Sequence, residues 1–143
     1  MYDRILLATD GSDAANAAID HAISLAAFTG ATLHIVYVVD QSAATAVPEA
    51  QAYSITELLE EVGQQAIDDA VARADEHDVN LKTELRHGSA PTEIIEAADE
   101  ADVDLIVMGT HGRSGLDRML LGSVADRVIR RAEQPVLIQQ AEA

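Results

Sequence analysis

Five short strand-like runs, each separated from the next by a stretch of helical periodicity, leave this chain few ways to fold. The runs are Arg4 to Ala8 (RILLA), Thr32 to Val39 (TLHIVYVV), Val79 to Leu85, Val103 to Met108 and Val136 to Ile138. The first, second and fourth are nearly continuous apolar stretches between polar residues, as in strands buried on both faces. The third differs: Lys82, Glu84 and Arg86 alternate outward, as on an exposed edge. After the first run, Ala15, Ala18, Ile19, Ala22, Leu25 and Ala26 recur at helical spacing and Gly30 supplies a stop. Ser54 with Glu57 reads as a capping box opening a second helix, with Ile55, Leu58, Leu59, Val62, Ala66, Ala70 and Ala74 on one face. A third helix starts at Pro91 and turns Ile94, Ile95 and Ala98 inward. A fourth runs from Val124 to Glu133, with Val128, Ile129 and Ala132 inward, and ends at Gln134-Pro135. Strict alternation of strand and helix predicts an α/β, Rossmann-like fold: one open five-stranded parallel sheet with right-handed crossovers and helices on both faces.

The 143 residues suit a single domain spanning 1–143, without internal repeat or linker. The segment Asp40 to Tyr53 has no periodicity and, at about 14 residues, is long for a connection, so it reads as a lid or a mobile loop. With no cysteine, thiolate catalysis and cysteine-based zinc sites are excluded. No apolar run is long enough to span a bilayer and no targeting segment is visible, so the expected location is the cytoplasm.

The chain carries 25 acidic and 9 basic residues, a net charge of −16, and Lys82 is its one lysine. A surface this negative repels nucleic acid and anionic membranes, which are therefore not expected as partners.

Chemistry concentrates after the fourth run. Met108 closes that strand, and the chain then reads GTHGRSGLDRMLLGS from Gly109 to Ser123 before the last helix begins at Val124. A strand that empties into a glycine-rich loop feeding a helix N-terminus holds phosphates well. Glycine lets the backbone approach closely, and the helix start presents unpaired N–H groups and a partial positive charge. Ser123 is expected to be the N-cap. In an open parallel sheet, ligands bind beyond the carboxyl ends of the strands where strand order reverses. If the first and fourth strands are neighbours there, Ala8 to Ser12 faces the glycine loop. Asp10 would then accept hydrogen bonds from ribose hydroxyls or hold magnesium through water. The alternative is a turn aspartate bonded to its own backbone, and local sequence allows both. Arg113 and Arg118 either contact phosphate or stay in solvent beside Asp117. His34 is expected to pack in the core, and His111 lies inside the loop. Walker A and dinucleotide fingerprints are absent: the one lysine is in a strand, and only Gly11 follows the first run.

The spacing Gly109, two residues, Gly112, nine residues, Gly122-Ser123 resembles the G-x2-G-x9-G-[ST] motif of the universal stress protein family, in its ATP-binding branch. The resemblance covers nearly the whole chain, from RILLATDGS through HGSAPTEII to GSVADRVIRRAEQPVLI. It implies a strand order of 3-2-1-4-5, and ATP bound with Mg2+ through the phosphates. It places Ala8, Thr9 and Asp10 at the nucleotide, and Val38 at the adenine pocket. Gly109 and Gly112 go under the ribose and phosphates, and Gly122, Ser123 and Val124 at phosphate oxygens. It also implies a homodimer through Val136, Leu137 and Ile138.

Three functions follow: a nucleotide-binding stress-response module acting through occupancy and dimerisation, a slow Mg-dependent ATP hydrolase, or a nucleotide-free structural dimer module. The first is favoured. No general base is aimed at a γ-phosphate, and a loop freed of ligand has no need of three glycines. The acidic surface itself reads as adaptation to high salt, where self-repulsion is screened within a few ångströms. Dialysis into low salt is then expected to unfold the protein. A melting transition as high at about 50 mM salt as at about 1 M would contradict that expectation.

Overall fold

The computed structural model describes residues 2–11, 13–40, 48–109 and 122–140, and the side chains of all of these except 13 and 14. The elements are β1 (Arg4–Ala8), α1 (Asp13–Thr29), β2 (Thr32–Val39), α2 (Glu49–Ala74), β3 (Leu81–His87), α3 (Ala90–Glu100), β4 (Leu105–Gly109), α4 (Ser123–Arg131) and β5 (Val136–Gln139). All strand pairings are parallel, in the order β3-β2-β1-β4-β5. No helix among the described residues is long and apolar enough to cross a membrane.

The alternation of side chains along each strand divides the core in two. Ile5, Leu7, Leu33, Ile35 and Val107 face α1 and α2, and meet Ala18, Ile19, Ala22, Ala66, Ile67 and Ala70. Leu6, Val36, Ile106 and Met108 face α3 and α4, and meet Ile94, Ala97, Ala98, Ala125 and Val128. Burying each large aliphatic side chain contributes roughly 1.5–3 kcal/mol, and the alanines let the helix backbones lie close to the sheet. The strand order grows one way through β2 and β3 and the other way through β4 and β5. Crossovers of one hand therefore put α1 and α2 on one face and α3 and α4 on the opposite face.

The β1–β4 pair, at which the order reverses, is fastened at its amino end. The Asp104 carboxylate accepts the backbone N–H groups of Asp3 (2.7 Å) and Arg4 (3.0 Å).

Several local expectations are corrected. The second helix opens at Glu49 behind Pro48, not at a Ser54–Glu57 capping box. Its first turns are largely exposed, so they bury no face and show no apolar period, although Glu, Ala and Gln are strong helix formers. The lid reading of Asp40 to Tyr53 is thus shortened at its carboxyl side, and residues 41–47 lie outside the described residues. Ile129 is 43% exposed and not inward, because Val128 takes the sheet-facing position of that turn. Arg86 does not project freely into water as an edge residue would. Its side chain is only 12% exposed, drawn in by carboxylates.

At Gly63, α2 lies directly against side chains of the sheet. A Cβ there would stand 2.5 Å from Tyr37 Cδ1 and 2.8 Å from Leu85 Cδ1. In an exposed helix, Gly→Ala stabilises by about 1 kcal/mol. Here overpacking of about 1–3 kcal/mol opposes that gain, and Tyr37 is too buried to swing away. Gly63→Ala is therefore expected to lower the melting temperature, and a rise would show that the ring yields freely.

His34 is half-buried on the α3–α4 side of the sheet, and its Nε2 is enclosed without a hydrogen-bond partner among the described residues. Burial pushes the imidazole below its ordinary value of 6.5, and Lys82 and Arg4 push the same way against Glu84. The unfolded chain therefore binds more protons around and below pH 6.5, so this residue's contribution to stability falls as pH drops through that range. In denaturant titrations between about pH 5 and 7, His34→Leu should show a shallower loss of stability toward acid than the parent. Equal slopes would mean that His34 is protonated as easily in the folded state as in the unfolded one.

Candidate functional site

The carboxyl ends of β1 and β4 open into a cleft of about 210 Å³. Its floor is the end of β1. There the Thr9 N–H continues the ladder to the Val36 carbonyl (3.1 Å), and Thr9 is 94% buried because its exposure is 6%. The Thr9 hydroxyl accepts the Gly11 N–H at 3.2 Å, closing a tight turn in which Gly11 adopts φ 79°. That turn carries Asp10 into the cleft lining.

Met108 and Gly109 from the end of β4 form the facing side, followed by Gly122, Ser123, Val124 and Ala125 at the start of α4. Gly122, not Ser123, holds the N-cap position, with extended backbone (φ −64°, ψ 153°), and no side-chain capping hydrogen bond forms. The helix begins one residue earlier than expected. From its first helical position the serine hydroxyl is misplaced for the cap. The first helical hydrogen bond is Asp126 N–H to the Gly122 carbonyl (2.9 Å). The N–H groups of Ser123, Val124 and Ala125 precede it, at the positive end of the helix dipole and on the cleft.

The remaining wall is apolar. Val36 and Val38 of β2 meet Ala90 and Ile94 of α3 across the cleft. Behind this wall Arg86, the β3 register partner of Val38, is enclosed by carboxylates. Its Nε donates to Glu93 (3.0 Å), its Nη1 to Glu84 (3.0 Å) and its Nη2 to Glu100 (3.0 Å), with Glu96 at 3.7 Å. The hydrogen bond to Glu100 is the largest influence on the guanidinium and holds it charged, above its already high range.

The structure thus brings together Ala8, Thr9, Asp10, Val38, Met108, Gly109, Gly122, Ser123 and Val124 in one cleft. Gly112 and Arg113, with Arg118 and His111, lie outside the described residues. Sequence reasoning missed Ala15, Val36, Ala90 and Ile94 as lining residues. Ile94 was legible only as an inward helix position, and nothing in its spacing separates a core contact from a cleft contact. Asp10 is the one ionisable side chain among the described lining residues. No group of three or more metal-ligating side chains occurs among the described residues. The lining offers apolar side chains from β2 and α3, backbone donors at the start of α4 and one carboxylate, Asp10.

Comparison with known proteins places these features. The chain is 44% identical over 139 residues to universal stress protein MJ0531 of Methanocaldococcus jannaschii, covering 96% of this chain and 82% of that protein. The solved structure of protein MJ0577 from the same organism superposes with a TM-score of 0.89 at 27% identity, covering 100% of this chain and 99% of the other. A universal stress protein solved in complex with cAMP matches with a TM-score of 0.68 at 29% identity, covering 99% and 98% of the two chains. The model of the universal stress protein family matches residues 1–139, and this chain belongs to that family.

Proposed function

We propose that this protein is a nucleotide-binding stress-response module, with ATP as its ligand and Mg2+ held through the phosphates. The observation that carries the reading is the convergence, at one switch point, of the apolar Val36, Val38 and Ile94 side chains and the amino end of α4, which has no side-chain cap among the described residues. The apolar side chains suit a base, and the helix N–H groups with the Gly109–Gly122 loop suit phosphates. Asp10 shares this lining, and its carboxylate would accept hydrogen bonds from ribose hydroxyls. The cAMP complex of a related universal stress protein supports a nucleotide as the ligand class.

Charge governs how binding works. A triphosphate approaching a protein of net charge −16 gains nothing from the overall field. Affinity comes from local donors and from a divalent cation that neutralises phosphate. The protein contributes no lysine to the cleft, and Asp10 is its only ionisable group among the described lining residues, so hydrolysis would be slow at best. The module then works by occupancy, with β5 pairing two copies along its half-buried edge residues Val136, Leu137 and Ile138.

Denaturing the purified protein and identifying any released nucleotide by mass tests the reading. ATP is expected, whereas ADP with steady phosphate release would favour an enzyme. Gly112→Val should lower nucleotide affinity by at least about 100-fold with little change in melting temperature, because a side chain fills the phosphate approach. Excess chelator should also weaken ATP binding, and unchanged affinity would remove magnesium from the reading. Sedimentation of the same preparation reports the pairing, and a monomer at micromolar concentration would contradict it.

A further inference from the structure

We propose that Arg86 is a positioning residue for the base-side wall: by tying α3 to β3 it sets the gap between Val38 and Ile94, and with it the preference among bases. The inference rests on the nucleotide reading above and deepens it.

The two faces of that gap belong to different elements. Val38 sits on β2, in register with Arg86 on β3, while Ala90 and Ile94 ride on the first turns of α3. The later turns of α3 are seated on the sheet through Ala97 and Ala98. The first turns of α3 border the cleft through Ala90 and Ile94, and Ile94 is shared between the cleft and the core. Two contacts bind the approach of α3 to the sheet. The Gly88 N–H donates to the Val39 carbonyl at 3.0 Å, and Arg86 Nε donates to Glu93 at 3.0 Å.

These contacts form one joint. Gly88 adopts φ 142°, and a Cβ at that position would stand 3.0 Å from Glu93 Oε2, so the turn is pressed against the Glu93 side chain. Glu93 is only 19% exposed, which keeps its bond to Arg86 away from bulk solvent.

Arg86 also counters repulsion. Glu93, Glu96 and Glu100 recur along one stripe of α3, and Glu84 faces them from β3. With the guanidinium in place, α3 is drawn onto β3 along two turns. Without it, four carboxylates oppose one another across that seam and the first turn of α3 moves off the sheet. The gap widens, while the amino end of α4, on a different element, keeps its donors. Arginine suits the task because its planar fork reaches several carboxylates at once.

The test is titration of parent and Arg86→Met protein with ATP, AMP and GTP, at a temperature where melting curves show both folded. Arg86→Met should weaken ATP and AMP by the same factor, about tenfold, and narrow the ATP-over-GTP preference. A variant that merely lost stability would weaken ATP, AMP and GTP by one common factor and leave the base preference unaltered, so the change in preference is the deciding readout. Unchanged affinity, or a loss seen with ATP and absent with AMP, would overturn the positioning role and leave the nucleotide reading standing. A parent protein that binds none of the three would overturn both. If Arg86→Met does not fold, Glu93→Gln carries the test, since it leaves Arg86 its bonds to Glu84 and Glu100. It should give a smaller loss of the same pattern, about threefold, and an unaltered base preference would again count against the role.

Discussion

The parallel pairing of β1 with β4 is the constraint on which the rest of this molecule depends. Every other neighbour in the sheet follows from chain continuity, since β2 and β3 extend outward from one side and β5 from the other. Only β1 and β4 are brought together across most of the chain, and the Asp104 carboxylate holding two backbone N–H groups of the β1 start marks the seam. Because growth reverses there, the chain leaving β1 turns to one face and the chain leaving β4 turns to the other. The gap between those departures is the cleft. A ligand site at this place is a geometric result of the strand order before any side chain is chosen.

Electrostatics in this protein is local. The net charge repels anions at long range, yet the amino end of α4 collects positive partial charge at a single spot, with backbone groups that cost no ionisation. The same economy appears at Arg86. One guanidinium serves four carboxylates, and a cation spent in this way lies behind the cleft wall, outside the lining itself. Thus Arg86 stands behind the wall, and at the cleft the described positive end is a helix dipole.

Legibility in the sequence followed the strength of the periodic signal. The strands buried on both faces were plain, because continuous apolar runs have few other readings. Element ends were less so. The opening turns of α2 bury no face, so only propensity marked them, and Ser123 lost the N-cap to Gly122 by one residue. Arg86 was misread because an alternating strand pattern records which face a side chain leaves from. It does not record what covers that face, and here the cover is α3 with its glutamates. Val36 and Ile94 belong to core and cleft at once, a distinction that exists only after two layers have been packed.

The sequence by itself determined the alternating α/β class, the position of the glycine-rich loop after β4 and the family, since each is written in residue type and spacing along the chain. The tertiary structure decided that Ala8 to Asp10 and Gly122 to Val124 share one cleft, and that α3 supplies its third wall. It also decided that a strand arginine is a clasp and not an edge charge. The physical reason is that spacing encodes contacts within a turn or a strand. Contacts between β1 and β4, or between Arg86 and Glu93, depend on crossover handedness and helix packing, which no local pattern contains.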